Sequence, residues 1–425
     1  MSTPKRSMRL GLVLGGTGCH RADGRHPAVP ADGDMDFKHL VRGAQVSEDA
    51  KLDFIFLGDV AAVANLSQPR MDRQREPDHV KLDPLTSAAA LAAVTQRIGL
   101  VATASTSLSH PFALARRLAS IDHLSQGRAG WNLLTSATPD ENRNYSLDGV
   151  LDPARRYERA REFLAVVQGL FDGWEPGAFV RDRASGVYMD PTKMHRLLHA
   201  GPHFKVRGPS DVDRPPQGAL PIITDVTSED DQDLAAEAAD VVFGGQPGLE
   251  GARALRRSIR ARAEYYGRTP ESLHVMPCIM PTVGRTQAAA EDLFAALQDR
   301  MHPDVGDAMG KPDHYPGLRG PVLDAPVADA ASRGAGHFGI VGTPTLIADT
   351  MEEWFTTGAA DGFIIQPPYL PGGIDDLVRM VVPELQRRGL FRIEYEGATL
   401  RENLGRTPCA AWKTYQLTSA RHPTI

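Results

Sequence analysis

Short apolar runs alternate with longer segments of helical period along most of the chain. Residues 10–14, 53–57, 98–102, 129–134, 221–224, 240–243, 274–280 and 362–365 read as strands. Each is too short for a helix and mostly apolar, as strands covered on both faces are. Between them, 37–51, 87–97, 111–125, 249–266, 286–300 and 343–358 read as helices. Asp152 and Pro153 supply a cap and a first-turn proline for a further helix. Its apolar stripe is Tyr157, Ala160, Phe163, Leu164, Val167 and Leu170, and Gly173 ends it. Ser228 and Asp231 have the spacing of a capping box. Eight strands alternating with helices predict an α/β fold, a (β/α)8 TIM barrel with large insertions after strands four and seven and a C-terminal extension. One domain is expected over residues 1–425, with insertions at about 135–220 and 300–342. No GxGxxG follows the first strand, so a dinucleotide fold gains little support.

Two connections lack any period. Residues 177–218, rich in Gly, Pro, His and Arg, are expected to pack over the barrel mouth, and 302–337 read as a lid. In a parallel barrel the chemistry sits at the C-terminal ends of the strands, which directs attention to the polar residues there. Cys19, His20, Asp23 and His26 follow strand one, but they lack the compact spacing of a metal site and no metal is expected. Asp59 follows strand two, and Thr103 with Ser105, Thr106 and Ser107 follows strand three. Asn132 interrupts strand four with an amide that needs partners if buried, and Ser136 comes just after it. Tyr157 lies in the first turns of its helix, where it serves as core or faces the pocket. Thr227 and Ser228 open the helix after strand five, where free amides either receive a cap or hold a phosphate. Glu229, Asp230 and Asp231 oppose an anion there.

Composition narrows the function classes. The chain has 425 residues, 42% hydrophobic and 24% charged, which is ordinary for a globular protein. A formal net charge of −6 with the signs intermixed leaves no basic face for nucleic acid. No apolar run approaches the roughly 20 residues of a membrane span, and the first run ends in glycines, as a strand does and a signal peptide does not. Cys19, Cys278 and Cys409 are an odd, scattered set that argues against a disulfide framework and for the cytoplasm.

Several long stretches carry a resemblance: GRAGWNLLTSATPDENRNYSLDG, RYERAREFLAVVQGLFDGWE, HAGPHFKVRGPSDVDRPPQG and a C-terminal block that opens VGTPTLIADTMEEWF and closes TLRENLG. Together they resemble the bacterial luciferase-like flavin monooxygenases of the nitrilotriacetate and dibenzothiophene-sulfone monooxygenase group. The resemblance implies a barrel that takes reduced FMN (FMNH2) from a separate NAD(P)H:flavin reductase. With O2, it would place one oxygen atom on a small organic substrate. A homodimer or homotetramer is the implied assembly. Position by position, Asp59, Thr103, Asn132 and Ser136 match residues expected beside the isoalloxazine ring and ribityl chain. Tyr157 matches a tyrosine near the FMN phosphate, and Thr227-Ser228 matches the phosphate turn. His20 is the candidate catalytic group near the reacting oxygen, since an imidazole exchanges protons near neutrality. The chain departs from the family at one place. Relatives carry a Gln-Ala-Gly-type sequence before the serine, and here Thr224-Asp225-Val226-Thr227 stands there. Val226 restricts the backbone and Asp225 adds negative charge. Two other readings are a deazaflavin-dependent oxidoreductase on the same fold and a flavin-binding protein without turnover. The C-terminal block favours the FMN group.

Overall fold

A computed structural model describes residues 6–20, 22–33, 35–58, 81–135, 139–147, 149, 151–245, 248–300 and 338–406. Its strands are β1 (Arg9–Val13), β2 (Phe54–Leu57), β3 (Gly99–Ser105), β4 (Ala129–Leu134), β5 (His199–Ala200), β6 (Lys205–Val206), β7 (Ile222–Asp225), β8 (Val241–Gly244), β9 (His274–Val283), β10 (Phe338–Gly342) and β11 (Gly362–Ile365). Eight of them pair in parallel in the order β1-β2-β3-β4-β7-β8-β9-β11. β11 pairs back onto β1, which closes the barrel.

The period of two decides what faces inward. Leu10, Leu12, Ile55, Leu57, Leu100, Ala102, Trp131 and Leu133 point out and form the core shared with the helices. Phe54, Phe56, Val101, Ile223, Val241, Met276, Cys278 and Ile364 fill the interior. Glycine makes room for the largest of these side chains. A Cβ at Gly11 would lie 2.4 Å from the Phe54 ring, and one at Gly99 would lie 2.5 Å from Leu400 Cδ1. Leu400 and Leu404 belong to the same interior cluster, so the short helix Leu400–Asn403 forms the floor of the barrel. Polar pairs lock it there. Arg9 Nη1 donates to Asn403 O at 2.7 Å, and Arg392 pairs with the fully buried Asp53, whose Oδ2 accepts from Leu10 N.

Three elements differ from the sequence expectation. β3 and β9 run on to Ser105 and Val283. β9 outreaches its neighbours, and its last residues, Ile279–Val283, recruit the unforeseen β10 as a ninth parallel strand outside the barrel. The segment 177–218 is anchored from outside the barrel. It packs on the outer helices, because Glu162 of the helix Pro153–Phe171 binds His199 Nε2 and the amides of His203 and Phe204. Trp174 Nε1 also donates to Ser210 O, and Arg214 pairs with Asp172. The lid expected over 302–337 lies outside the described residues. No helix among them is long and apolar enough to cross a membrane. No group of three or more His, Cys, Asp or Glu among them could hold a metal ion.

Candidate active site

The strand that carries Asn132 places it by alternation. Trp131 faces the helices, where its Nε1 donates to Ala104 O and its ring meets Phe163, so Asn132 faces the barrel axis. The register sets Asn132 beside Thr103 on one side and Ile223 on the other. Thr103 Oγ1 donates its single hydrogen to Leu57 O at 2.8 Å. Towards Asn132 it can therefore only accept, and Asn132 Nδ2 donates to it at 3.0 Å. This relay fixes the amide orientation and leaves Oδ1 without a partner among the described residues, although Asn132 is only 5% exposed. A buried acceptor left empty costs about 1–3 kcal/mol, so the strand holds a vacancy for a donor. Gln366, one residue past β11, presents a second buried acceptor of this kind, its Oε1.

Asp225 ends β7, and its Oδ1 accepts from Val226 N at 2.8 Å. Burial pushes its carboxyl up to about 7; the charge of Asp231 adds to the rise and the Val226 amide opposes it. The Cys278 thiol on β9 is raised too, by burial first and then by Asp225. Phe56 and Phe243 meet edge to face at 5.3 Å between ring centroids and make an aromatic wall of the interior.

Tyr157, Thr227 and Ser228 do come together, and a fourth residue sits at their centre. Ser228 caps the helix Glu229–Ala238 in a capping box with Asp231. Asp231 Oδ2 accepts from Thr227 N, Thr227 Oγ1, Ser228 N and Ser228 Oγ at 2.8–3.2 Å. Tyr157 OH donates to Asp231 Oδ1 at 2.5 Å. Burial raises the Tyr157 phenol, and the hydrogen bond to Asp231 raises it further. Of the other two carboxylates, Glu229 pairs outward with Arg262 and Asp230 is exposed.

His20 is buried against a different element. Its N–H donates to Pro368 O, and its ring meets Phe294 at 6.4 Å between centroids. Nδ1 accepts from Ala22 N at 3.1 Å, so the neutral ring carries its proton on Nε2, 3.4 Å from the Gln298 amide group. Asp59 and Ser136 lie outside the described residues. Sequence reasoning missed Gln366, although a polar residue two positions after an inward-facing Ile364 is a readable signal. It took Asp231 as a cap and a repulsive charge. That its carboxylate turns back into the cradle depends on side-chain geometry, which spacing does not carry.

The Luciferase-like monooxygenase family model matches residues 10–361. The chain is similar to N-acetyl-S-(2-succino)cysteine monooxygenase of Bacillus subtilis (strain 168), 42% identical over 95% of this chain and 98% of that protein. It is also similar to nitrilotriacetate monooxygenase component A of Aminobacter aminovorans, 39% identical over 94% and 96%. The solved structure of riboflavin lyase with modified FMN and its substrate riboflavin superposes with a TM-score of 0.84, at 30% identity, over 95% of this chain and 96% of that one. With a closed parallel barrel and similarity that runs nearly end to end, the chain belongs to the luciferase-like monooxygenase family and is an oxidoreductase of the monooxygenase type.

Proposed function

We propose that the barrel mouth binds a reduced flavin, in relatives of this kind FMN, delivered by a separate NAD(P)H:flavin reductase. One atom of O2 is then transferred to a small organic substrate. The observation that carries this reading is the empty acceptor Asn132 Oδ1, held by Thr103 on the inward face of β4. A flat heterocycle with a ring N–H would satisfy it, and Gln366 Oε1 offers a second such acceptor.

The flavin supplies the oxygen chemistry when bound, and the protein's residues orient and protect it. Asn132 and Thr103 fix the ring by a hydrogen-bond relay anchored on Leu57 O, so little reorganisation accompanies binding. Phe56 and Phe243 offer apolar surface that excludes water. Asp225, with its carboxyl near 7, holds or releases a proton at its free oxygen at neutral pH, as a general acid or base does. His20 is proposed as a second proton-handling group at the rim, with its exchangeable proton on Nε2. The ring end of a flavin fits these residues. The phosphate end of FMN does not fit the turn as it stands, because the donors there are already committed to Asp231.

The test is a titration with flavin under anaerobic reducing conditions, followed by turnover with a flavin reductase, NADH and 18O2. N-acetyl-S-(2-succino)cysteine and nitrilotriacetate, which name two relatives, are the first substrates to try. Flavin binding with 18O in the product is expected. A protein that binds no flavin in either redox state would not be a flavin monooxygenase.

A further inference from the structure

The turn after β7 already contains an anion. Five donors converge on the Asp231 carboxylate: the amides and hydroxyls of Thr227 and Ser228, and the hydroxyl of Tyr157. These are the groups that a helix start and its neighbours would otherwise offer to a phosphate. We propose that Asp231 closes this cradle to the flavin phosphate, so that the protein takes a flavin with an uncharged ribityl end, riboflavin, at least as readily as FMN. The proposal rests on the flavin-site reading given above.

Charge and geometry agree. A phosphate can enter only if the carboxylate leaves, and leaving breaks the capping box that starts the helix Glu229–Ala238. Arg262, the nearby cation on the next helix, is already bound to Glu229 and Asp233. Arg156 lies over the Tyr157 ring, 5.2 Å from its centroid, with its Nε unpartnered among the described residues, and its single charge would have to serve both Asp231 and a phosphate dianion. Asp225 stands close enough for Asp231 to perturb it, so a phosphate would meet two carboxyl groups rather than one. A terminal hydroxyl brings no charge and can donate to either of those carboxyl groups.

The experiment compares dissociation constants for FMN and riboflavin, oxidised and reduced, in wild type, Asp231→Gly and Asp231→Asn, using the full chain. Thermal melts check that the variants remain folded, and the wild-type preference tests the proposal even if they do not. Wild type is expected to bind riboflavin as tightly as FMN or more tightly. Asp231→Gly should tighten FMN by about tenfold or more and change riboflavin by less than about twofold, since charge-assisted bonds to the freed donors become available to phosphate alone. A wild-type preference for FMN of about tenfold would overturn the proposal while leaving the flavin site intact. An unchanged preference in folded Asp231→Gly and Asp231→Asn would overturn it as well. Failure of every protein to bind either flavin is a different result; it removes the flavin site itself, and this inference with it.

Discussion

Replacing Asp225 by Asn should make the protein more stable, and only where the pH is high enough. Burial lifts this carboxyl from an ordinary 3.8 to about 7 in the folded state. A carboxyl with a raised folded-state value holds its proton more tightly when native. Its favourable contribution is therefore complete below about pH 3.8, is lost as the pH rises to about 7, and is flat beyond. At about 1.36 kcal/mol for each pH unit of that interval, the whole of it is worth about 4 kcal/mol as a ceiling. The side chain is half-buried, so solvent screens part of the charge and about 1–3 kcal/mol is the realistic gain. Asparagine keeps an acceptor for Val226 N and removes the ionisation. Urea unfolding of wild type and Asp225→Asn, both without ligand, at half-unit steps from pH 4 to 8.5 measures the difference directly. The two curves should nearly coincide at pH 4 and separate between pH 5 and 7, with the variant ahead. A gap that stays constant across the range would mean that Asp225 ionises at its ordinary value, and the proton-holding role assigned to it would fall.

Asn132→Leu should weaken flavin binding by about tenfold or more, since it removes the acceptor, and leave the melting profile cooperative; unchanged affinity in a fluorescence titration would take Asn132 out of the site. Leu400→Ala should cost about 2–5 kcal/mol in denaturant unfolding, because this fully buried side chain fills the floor between the β3 and β4 glycines. A loss under 1 kcal/mol would mean the floor is loosely packed. Asp361→Asn should cost about 3–5 kcal/mol at pH 7, leaving Arg256 and Arg260 facing a neutral partner just before β11. The Asp361 carboxyl is held far below its ordinary 3.8, mostly by Arg256 against the pull of burial. Its contribution is thus present above about pH 3.8 and lost as the pH falls below that value, so wild type and variant should converge in strong acid.

The eight barrel strands were legible because each is short, apolar and flanked by a helical period, and every one of the eight expected runs overlaps an observed strand. β10 was not, since what makes it a strand is the free edge that β9 leaves after outrunning β8 and β11, a tertiary fact. The anchoring of 177–218 was not legible for a related reason. Its partners Glu162 and Gly169 lie on a helix that Asp172 caps, and the outward face of that helix reads as solvent-facing until something covers it. That Asn132 and Thr103 lie side by side was readable from position alone, as polar residues at matching places on adjacent strands. The Ser228–Asp231 box was readable as a cap, but the same spacing fits a carboxylate pointing to solvent and one folded back under Tyr157.

The floor of the barrel also sets an order of events during synthesis. Leu400 and Leu404 seal an interior whose walls begin at Arg9, and Arg9 itself hydrogen-bonds to Asn403. A nascent chain that has emerged as far as β11 can pair all eight wall strands, yet its lower end stays open to water, and the space beside Gly99 and Gly130 still lacks Leu400. The barrel is completed only when the segment around residue 404 clears the ribosome. Until then, the exposed apolar hollow is a surface for holdase chaperones to cover. Ribosome-stalled chains ending shortly before this helix should therefore be more protease-sensitive than chains released beyond it.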